Sequence, residues 1–162
     1  MAATVLPAAT AGATINWTLL GTATPASTVS TYTFSGLSGY RQYRLVSKVG
    51  LVSADDIFMQ VNGTGGSIYA FSLRSLLTAT WSTNLNNGSA QINLNKNSAS
   101  TQSTDFVIED MSNSKSASWT NTSGQTDSGT AIVNLSSAIT SLTYYTNGVL
   151  FSSGLIRVYG GN

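Results

Sequence analysis

The sequence predicts an all-β fold, an antiparallel β-sandwich or jelly roll behind a short extended N-terminal arm, and three observations predict it. Apolar and polar residues alternate with a period of two through almost every apolar run. Glycine-containing turn signals punctuate those runs at short, regular intervals. Only Ser72 to Ala79 carries leucines (Leu73, Leu76, Leu77) at a spacing a short helix could use, and it reads equally as a strand followed by a loop.

Taken in order, residues 1–13 (MAATVLPAATAGA) are small and uncharged, with Pro7 and Gly12. They read as a flexible extended arm. Residues 14–162 then form a single β-sandwich domain, long enough to bury a core. Tyr43, Leu45 and Val49 alternate with Gln42, Arg44 and Lys48, and Ile57, Met59 and Val61 with Asp56 and Gln60. Ile92 and Leu94 sit among Gln91, Asn93 and Asn95. Phe106 and Ile108 share a face, as do Val133 and Leu135, and Ile156 and Val158. Each is the pattern of a half-buried strand. Between them stand Ser38-Gly39, Asn62-Gly63, Gly65-Gly66, Asn87-Gly88, Ser123-Gly124, Ser128-Gly129 and Asn147-Gly148. Glycine after asparagine supplies the positive φ of tight hairpin turns. The pattern predicts about eight to ten strands, with the Ser/Asn-rich stretches 95–104 and 112–128 as long loops.

Composition bounds the function. Charged residues are only 8% of the chain and the net charge is +1; Ser, Thr and Asn together supply roughly a third. A surface of hydroxyls and amides is cheaper to desolvate than one of ions, which suits a protein that stays packed against neighbours. Nucleic acid is not an expected partner, because its phosphates call for clustered cations. The nearest grouping here is Arg41, Arg44 and Lys48, of which Arg44 and Lys48 share a strand face and Arg41 lies on the other. No apolar run reaches the length of a membrane span. Met1 to Ala13 lacks the basic and apolar regions of a secretory leader.

The chain has neither histidine nor cysteine. The commonest general base, the commonest metal ligand and every Ser–His or Cys–His nucleophile pair are therefore missing. Six carboxylates remain, Asp55, Asp56, Asp105, Glu109, Asp110 and Asp127. Adjacent carboxylates on a strand point to opposite faces, so Asp55-Asp56 and Glu109-Asp110 read as solvated strand ends rather than as a glycosidase pair. No loop has a calcium-binding spacing. Asn62-Gly63-Thr64-Gly65-Gly66 lacks the lysine and following helix of a phosphate loop, and reads as a hairpin turn. Five Asn-x-Ser/Thr matches, at Asn16, Asn62, Asn87, Asn121 and Asn134, arise readily in a chain so rich in these residues. No catalytic residue, cofactor or metal site is expected. The remaining candidates are aromatic: Trp17, Trp81 and Trp119 are possible ligand or interface side chains, since an indole face packs well on the apolar face of a sugar. Trp119 is singled out by its polar surroundings, Ser116 to Asn121. Tyr144-Tyr145 should place one ring inward and one outward.

Two stretches carry a resemblance. One runs from Tyr32-Thr33-Phe34-Ser35-Gly36-Leu37 through Tyr40-Arg41-Gln42-Tyr43-Arg44-Leu45-Val46 to Asp56-Ile57-Phe58-Met59-Gln60-Val61-Asn62-Gly63 and Tyr69. The other is Ile139-Thr140-Ser141-Leu142 with the closing Phe151-Ser152-Ser153-Gly154-Leu155-Ile156-Arg157-Val158-Tyr159-Gly160. Their order resembles that of small β-sandwich structural proteins of tailed bacteriophages, which serve as head decoration (cement) proteins, head fibres and tail-associated adhesins. Leu155 stands where those proteins usually carry serine, and residues 72–136 match nothing in the pattern.

The resemblance implies a virion structural protein made in the host cytoplasm. Its expected role is capsid decoration, on the outer surface of the head, as a symmetric oligomer of which a trimer is the usual form. The expected partner is the major capsid protein or another virion protein. Contact through the arm, at Ala2, Ala3, Thr4, Val5 and Leu6, would order it on a neighbouring subunit. The alternative is a receptor- or glycan-binding module of a tail fibre or tail tip, using exposed aromatic side chains.

Overall fold

The computed structural model describes residues 15–77, 80–95, 99–122 and 126–162, apart from the side chains of 77, 80–82 and 99. The expected arm at 1–13 lies outside the described residues. The described chain is all strand and connection: β1 (Trp17–Ala23), β2 (Thr31–Ser35), β3 (Gln42–Asp55), β4 (Ile57–Val61), β5 (Tyr69–Leu77), β6 (Thr80–Ser89), β7 (Ile92–Asn93), β8 (Ala99–Asp110), β9 (Lys115–Thr122), β10 (Thr126–Val133), β11 (Ser141–Thr146) and β12 (Phe151–Gly161). They form a two-sheet antiparallel sandwich. The large sheet has eight strands in the order β1-β12-β3-β8-β9-β10-β5-β6, the small one four in the order β2-β11-β4-β7.

Alternation works as the sequence implies. In β3, Tyr43, Leu45, Ser47 and Val49 are buried and their neighbours are not, and β4 and β11 alternate likewise. The core lies between the sheets. Tyr43, Leu45, Phe106, Ile108, Ile156 and Val158 from the large sheet meet Ile57, Met59, Val61, Leu142 and Tyr144 from the small one. Tyr144 stacks on Phe151 with ring centroids 5.9 Å apart. Tyr145 points away from that core, against Phe58 and with its hydroxyl donating to Gln91 Oε1.

Sequence readings are decided or changed at several places, among them the expected Asn87-Gly88 turn, which is strand: both residues lie within β6, where its register with β5 shifts. Of the two readings open for Ser72–Ala79, the strand holds through Leu77, in β5, whose leucines pair across to β10 and β6; Thr78 and Ala79 lie outside the described residues. Where described, the two stretches expected as long loops are mostly strand, in β8, β9 and β10, which bring the described strands to twelve. They look polar because polar residues take core positions there. Ser47, Thr104, Asn121, Asp127 and Ser75 lie opposite one another across β3, β8, β9, β10 and β5, and all are buried. Tyr144 Oη stands 2.9 Å from Ser47 Oγ and 3.2 Å from Thr104 Oγ1. Asn121 Nδ2 donates to Thr104 Oγ1 at 2.8 Å. Finally, Ser128-Gly129 is no turn. Gly129 lies inside β10 opposite Trp119, whose ring occupies the space a side chain would need.

Asn62-Gly63 does form the expected tight turn, with both residues at positive φ (55° and 61°). At the Asp55-Asp56 corner the chain passes from the large sheet to the small one. The two carboxylates fasten that corner: Asp55 accepts from the Asp56 and Asn147 backbone N–H groups, and Asp56 from Asn93 Nδ2.

Candidate binding face

Only one face of the large sheet packs on the small one. The other carries a line of side chains across all eight strands: Leu19, Tyr159, Arg44, Val107, Ser118, Thr130, Ser72 and Leu85 lie opposite one another in turn. All eight are exposed or half-buried. The hollows on this outer face include two that aromatic or large apolar side chains border.

The first is a dish of about 300 Å³ bordered by Trp17, Arg44, Asp105, Val107, Ser118 and Thr120. Trp17 opens β1 directly opposite Gly161 of β12. Because Gly161 has no side chain, the indole settles over it; a β-carbon there would stand 3.1 Å from Trp17 Cε3 and Cζ3. The ring is half-buried. Arg44 stands with its guanidinium carbon 6.0 Å from the indole centroid. Its Nε donates to Asp105 Oδ1 at 2.8 Å and its Nη2 to Oδ2 at 2.5 Å, a bidentate pair. The hydrogen bond to Asp105 raises the Arg44 pKa above its ordinary value, against the opposing effect of partial burial. The two side chains remain 38% and 40% exposed, so the pair is wet and contributes little to stability.

The second is an apolar groove of about 350 Å³ over Ala70 and Ser72, flanked by Ile132 on β10 and Leu85 on the edge strand β6. Leu85 is 76% exposed, the most exposed large apolar side chain among the described residues.

A third hollow, of about 460 Å³, lies where Arg41, Gln42, Glu109, Asp110 and Asn162 gather. Its groups are engaged with each other. Gln42 Nε2 donates to Glu109 Oε1, and the Arg41 N–H to Asn162 Oδ1. Asp110 holds the buried Lys115 at 2.7 Å and accepts from the Ile139 N–H. Among the described residues no three of His, Cys, Asp and Glu come together as a metal site. Among the described residues no helix is long and apolar enough to cross a membrane.

The aromatic candidates separate. Trp17 is on the outer face. Trp119, singled out by the sequence, is 3% exposed and sits in the core between Phe71 and Phe106, its Nε1–H donating to Leu94 O. Its polar sequence neighbours alternate outward while it alternates inward, so it offers no platform. Trp81 lies on β6 opposite Leu76, with its side chain outside the described residues, as are Ala2, Ala3, Thr4, Val5 and Leu6. Sequence reasoning placed Arg44 and Lys48 on one face, where they are found, but missed Asp105 and Gly161. The only sequence trace of Gly161 is the Gly-Gly pair that closes β12. Asp105 gives no trace at all, since the β3–β8 pairing alone brings it to Arg44.

No protein-family model matches the chain, and no curated protein matches it.

Proposed function

We propose that this protein is a non-catalytic structural component of a tailed-bacteriophage particle, decorating the outer surface of the head as a symmetric oligomer. One observation carries the reading: no described element covers the outer face of the eight-stranded sheet, where Ser, Thr and a few apolar residues lie among Arg44, Lys48, Arg74, Asp105, Glu109 and Arg157. The hydroxyl-bearing and apolar parts of that face lose their water at low cost when a neighbour covers them. Its exposed Leu85 and Ile132, at the β10-β5-β6 end, add apolar surface of the kind protein interfaces favour. The segments resembling phage proteins fall on β2, β3, β4, β11 and β12 and their turns, so they bear on architecture and only by association on role.

The test is reconstitution. Emptied heads of the cognate phage, mixed with the purified protein, should take it up to a fixed saturating ratio to the major capsid protein and carry it through sedimentation. Protein left wholly in the supernatant at saturating concentration rules the reading out. A second reading, a receptor- or glycan-binding module of the tail, is favoured by the Trp17 dish. Adsorption of the free protein to host cells, without uptake by heads, would select it.

A further inference from the structure

We infer that β6 is a self-association edge, at which the β6 strands of two copies of this chain pair antiparallel about a two-fold axis beside Leu85. β6 ends the strand order of the large sheet, so its outer side has no strand partner among the described residues. Every residue from Thr83 to Gly88 is exposed. That run includes Asn84 and Asn86, which lie opposite buried Leu73 and Phe71 and so belong to the inner face. The strand is therefore bare on both faces as well as along its edge. Folded proteins commonly defend such an edge with lysine, proline, a bulge or shortness. β6 is 10 residues long, with no charged residue and no proline. From Thr80 to Asn87 it pairs with β5 without a break, and its register irregularity is confined to the Ser89 end. Alternate residues along that run turn their N–H and C=O groups outward, a ready ladder for another strand.

The occupant that fits this edge is a second β6. An isologous contact needs a surface complementary to itself, and two identical antiparallel strands provide one. In the register that sets Leu85 opposite Leu85, the side chain that is 76% exposed meets its own counterpart on the outer face. Thr83 of each copy then faces Asn87 of the other. On the inner side Asn84 faces Asn86, two amide pairs in which donors and acceptors match. The charges fit as well. β6 brings none to the contact, and β5 carries only Arg74, opposite Thr83. In this register the two copies of Arg74 stand about 20 Å apart, three strand spacings across and four residues along. That exceeds the screening length of about 8 Å at physiological salt. A charged strand would find no counter-charge on β6, whereas a second β6 needs none. The contact is one strand wide, at the low end of specific interfaces, and its expected Kd is roughly 10–100 µM. It belongs to this chain alone and forms with or without a phage head.

The full-length protein, taken from about 1 to 500 µM in analytical ultracentrifugation, should pass from monomer to dimer. Leu85→Lys sets two cations against each other on the axis and should raise the Kd at least about tenfold. Its melting temperature should stay near the parent's, because Leu85 is no part of the core. Leu85→Glu should act likewise, and an equimolar mixture of the two variants should recover a heterodimer. The chain has no cysteine, so Leu85→Cys introduces a single thiol. Opposed residues of an antiparallel pair have Cα atoms about 4.5–5.5 Å apart, a span that a disulfide bridges. Under oxidation Leu85→Cys should therefore link two copies, and Thr22→Cys, on the opposite edge strand β1, should not. A protein monomeric throughout the range overturns the inference. So does self-association that Leu85→Lys leaves unchanged, or a Leu85→Cys variant that links no faster than Thr22→Cys. Head uptake that Leu85→Lys abolishes in a protein monomeric throughout would make β6 a capsid contact, which also overturns it. Dimerisation without uptake by heads keeps the β6 contact and removes the virion reading; uptake with no dimer does the reverse.

Discussion

Gly161 lies directly opposite Trp17 across the β12–β1 pair, and the indole rests in the space a side chain at Gly161 would fill. Gly129 and Trp119 repeat the arrangement across β10 and β9, on the other face of the same sheet. One pair lies at the surface; the other is part of the core. The difference lies in whether the ring can move aside.

Alanine substitutions should expose that difference. A β-carbon at Gly129 would meet Trp119 Cζ2 at 2.2 Å and Ser72 O at 2.6 Å, and neither the enclosed ring nor the backbone can yield. Gly129→Ala is expected to cost about 3 kcal/mol or more in urea unfolding. At Gly161 the contacts are the half-exposed Trp17 ring and the end of the Ile15 side chain, so Gly161→Ala should cost about 1 kcal/mol. It should also alter Trp17 fluorescence. Equal costs at the two sites would contradict this account.

Lys115 is 1% exposed and paired at 2.7 Å with Asp110, its direct neighbour across the β8–β9 pair. Its Nζ also donates to Met111 O. Lys115→Met leaves the Asp110 charge without its cation and is expected to cost about 3–5 kcal/mol. Adding Asp110→Asn should recover part of that loss, and the coupling can be read from a double-mutant cycle. Because the pair is enclosed, raising the salt concentration should change its contribution little.

Asn62 joins the β4 turn to the segment before β11. Its Oδ1 accepts from the Thr140 and Ser141 N–H groups at 2.7 and 3.1 Å, and its Nδ2 donates to Ala138 O at 2.8 Å. Its backbone sits at φ 55°. Asn62→Gly keeps that conformation and loses the bonds, an expected cost of about 1–2 kcal/mol. Asn62→Ala adds the left-handed backbone penalty, about 1 kcal/mol more. The order Ala worse than Gly, measured by thermal unfolding, is the specific expectation.

Alkaline pH should unfold the protein through its buried phenols. Burial raises the Tyr144 pKa from 10.0 to about 12, while its bonds to Ser47 and Thr104 lower it by less. The unfolded chain therefore loses this proton first. The contribution is intact below pH 10 and is lost as pH rises towards 12, by about 2–3 kcal/mol in all. Tyr145, also raised to about 12 by burial and then by Tyr69, is less enclosed and should add a smaller share. Unfolding free energies from pH 9 to 12 should fall, and Tyr144→Phe should flatten that fall.

Much of the fold was legible in the sequence because a strand's side chains alternate whatever it pairs with. That rule alone put Tyr43, Leu45, Ile57 and Val61 inside and read Tyr144 and Tyr145 as pointing opposite ways. The Asn62-Gly63 turn was legible for an equally local reason, its backbone conformation. Alternation fails as a guide where a buried position is polar: Thr104, Asn121 and Asp127 look like loop residues until their cross-strand neighbours are known.

The candidate site was less legible. Trp119 was misjudged from the residues on either side of it, Ser118 and Thr120, which face the other side of the sheet. The dish depends on Trp17 meeting Gly161 and on Arg44 meeting Asp105, contacts between strands distant in the chain. By itself, the sequence determined which residues face together along each strand, and it excluded histidine and cysteine chemistry outright. The tertiary structure decided which strands lie side by side, and hence which face stays open and which side chains meet on it. Side-chain alternation is a property of one strand's backbone, whereas strand order follows from how all the strands together bury one core.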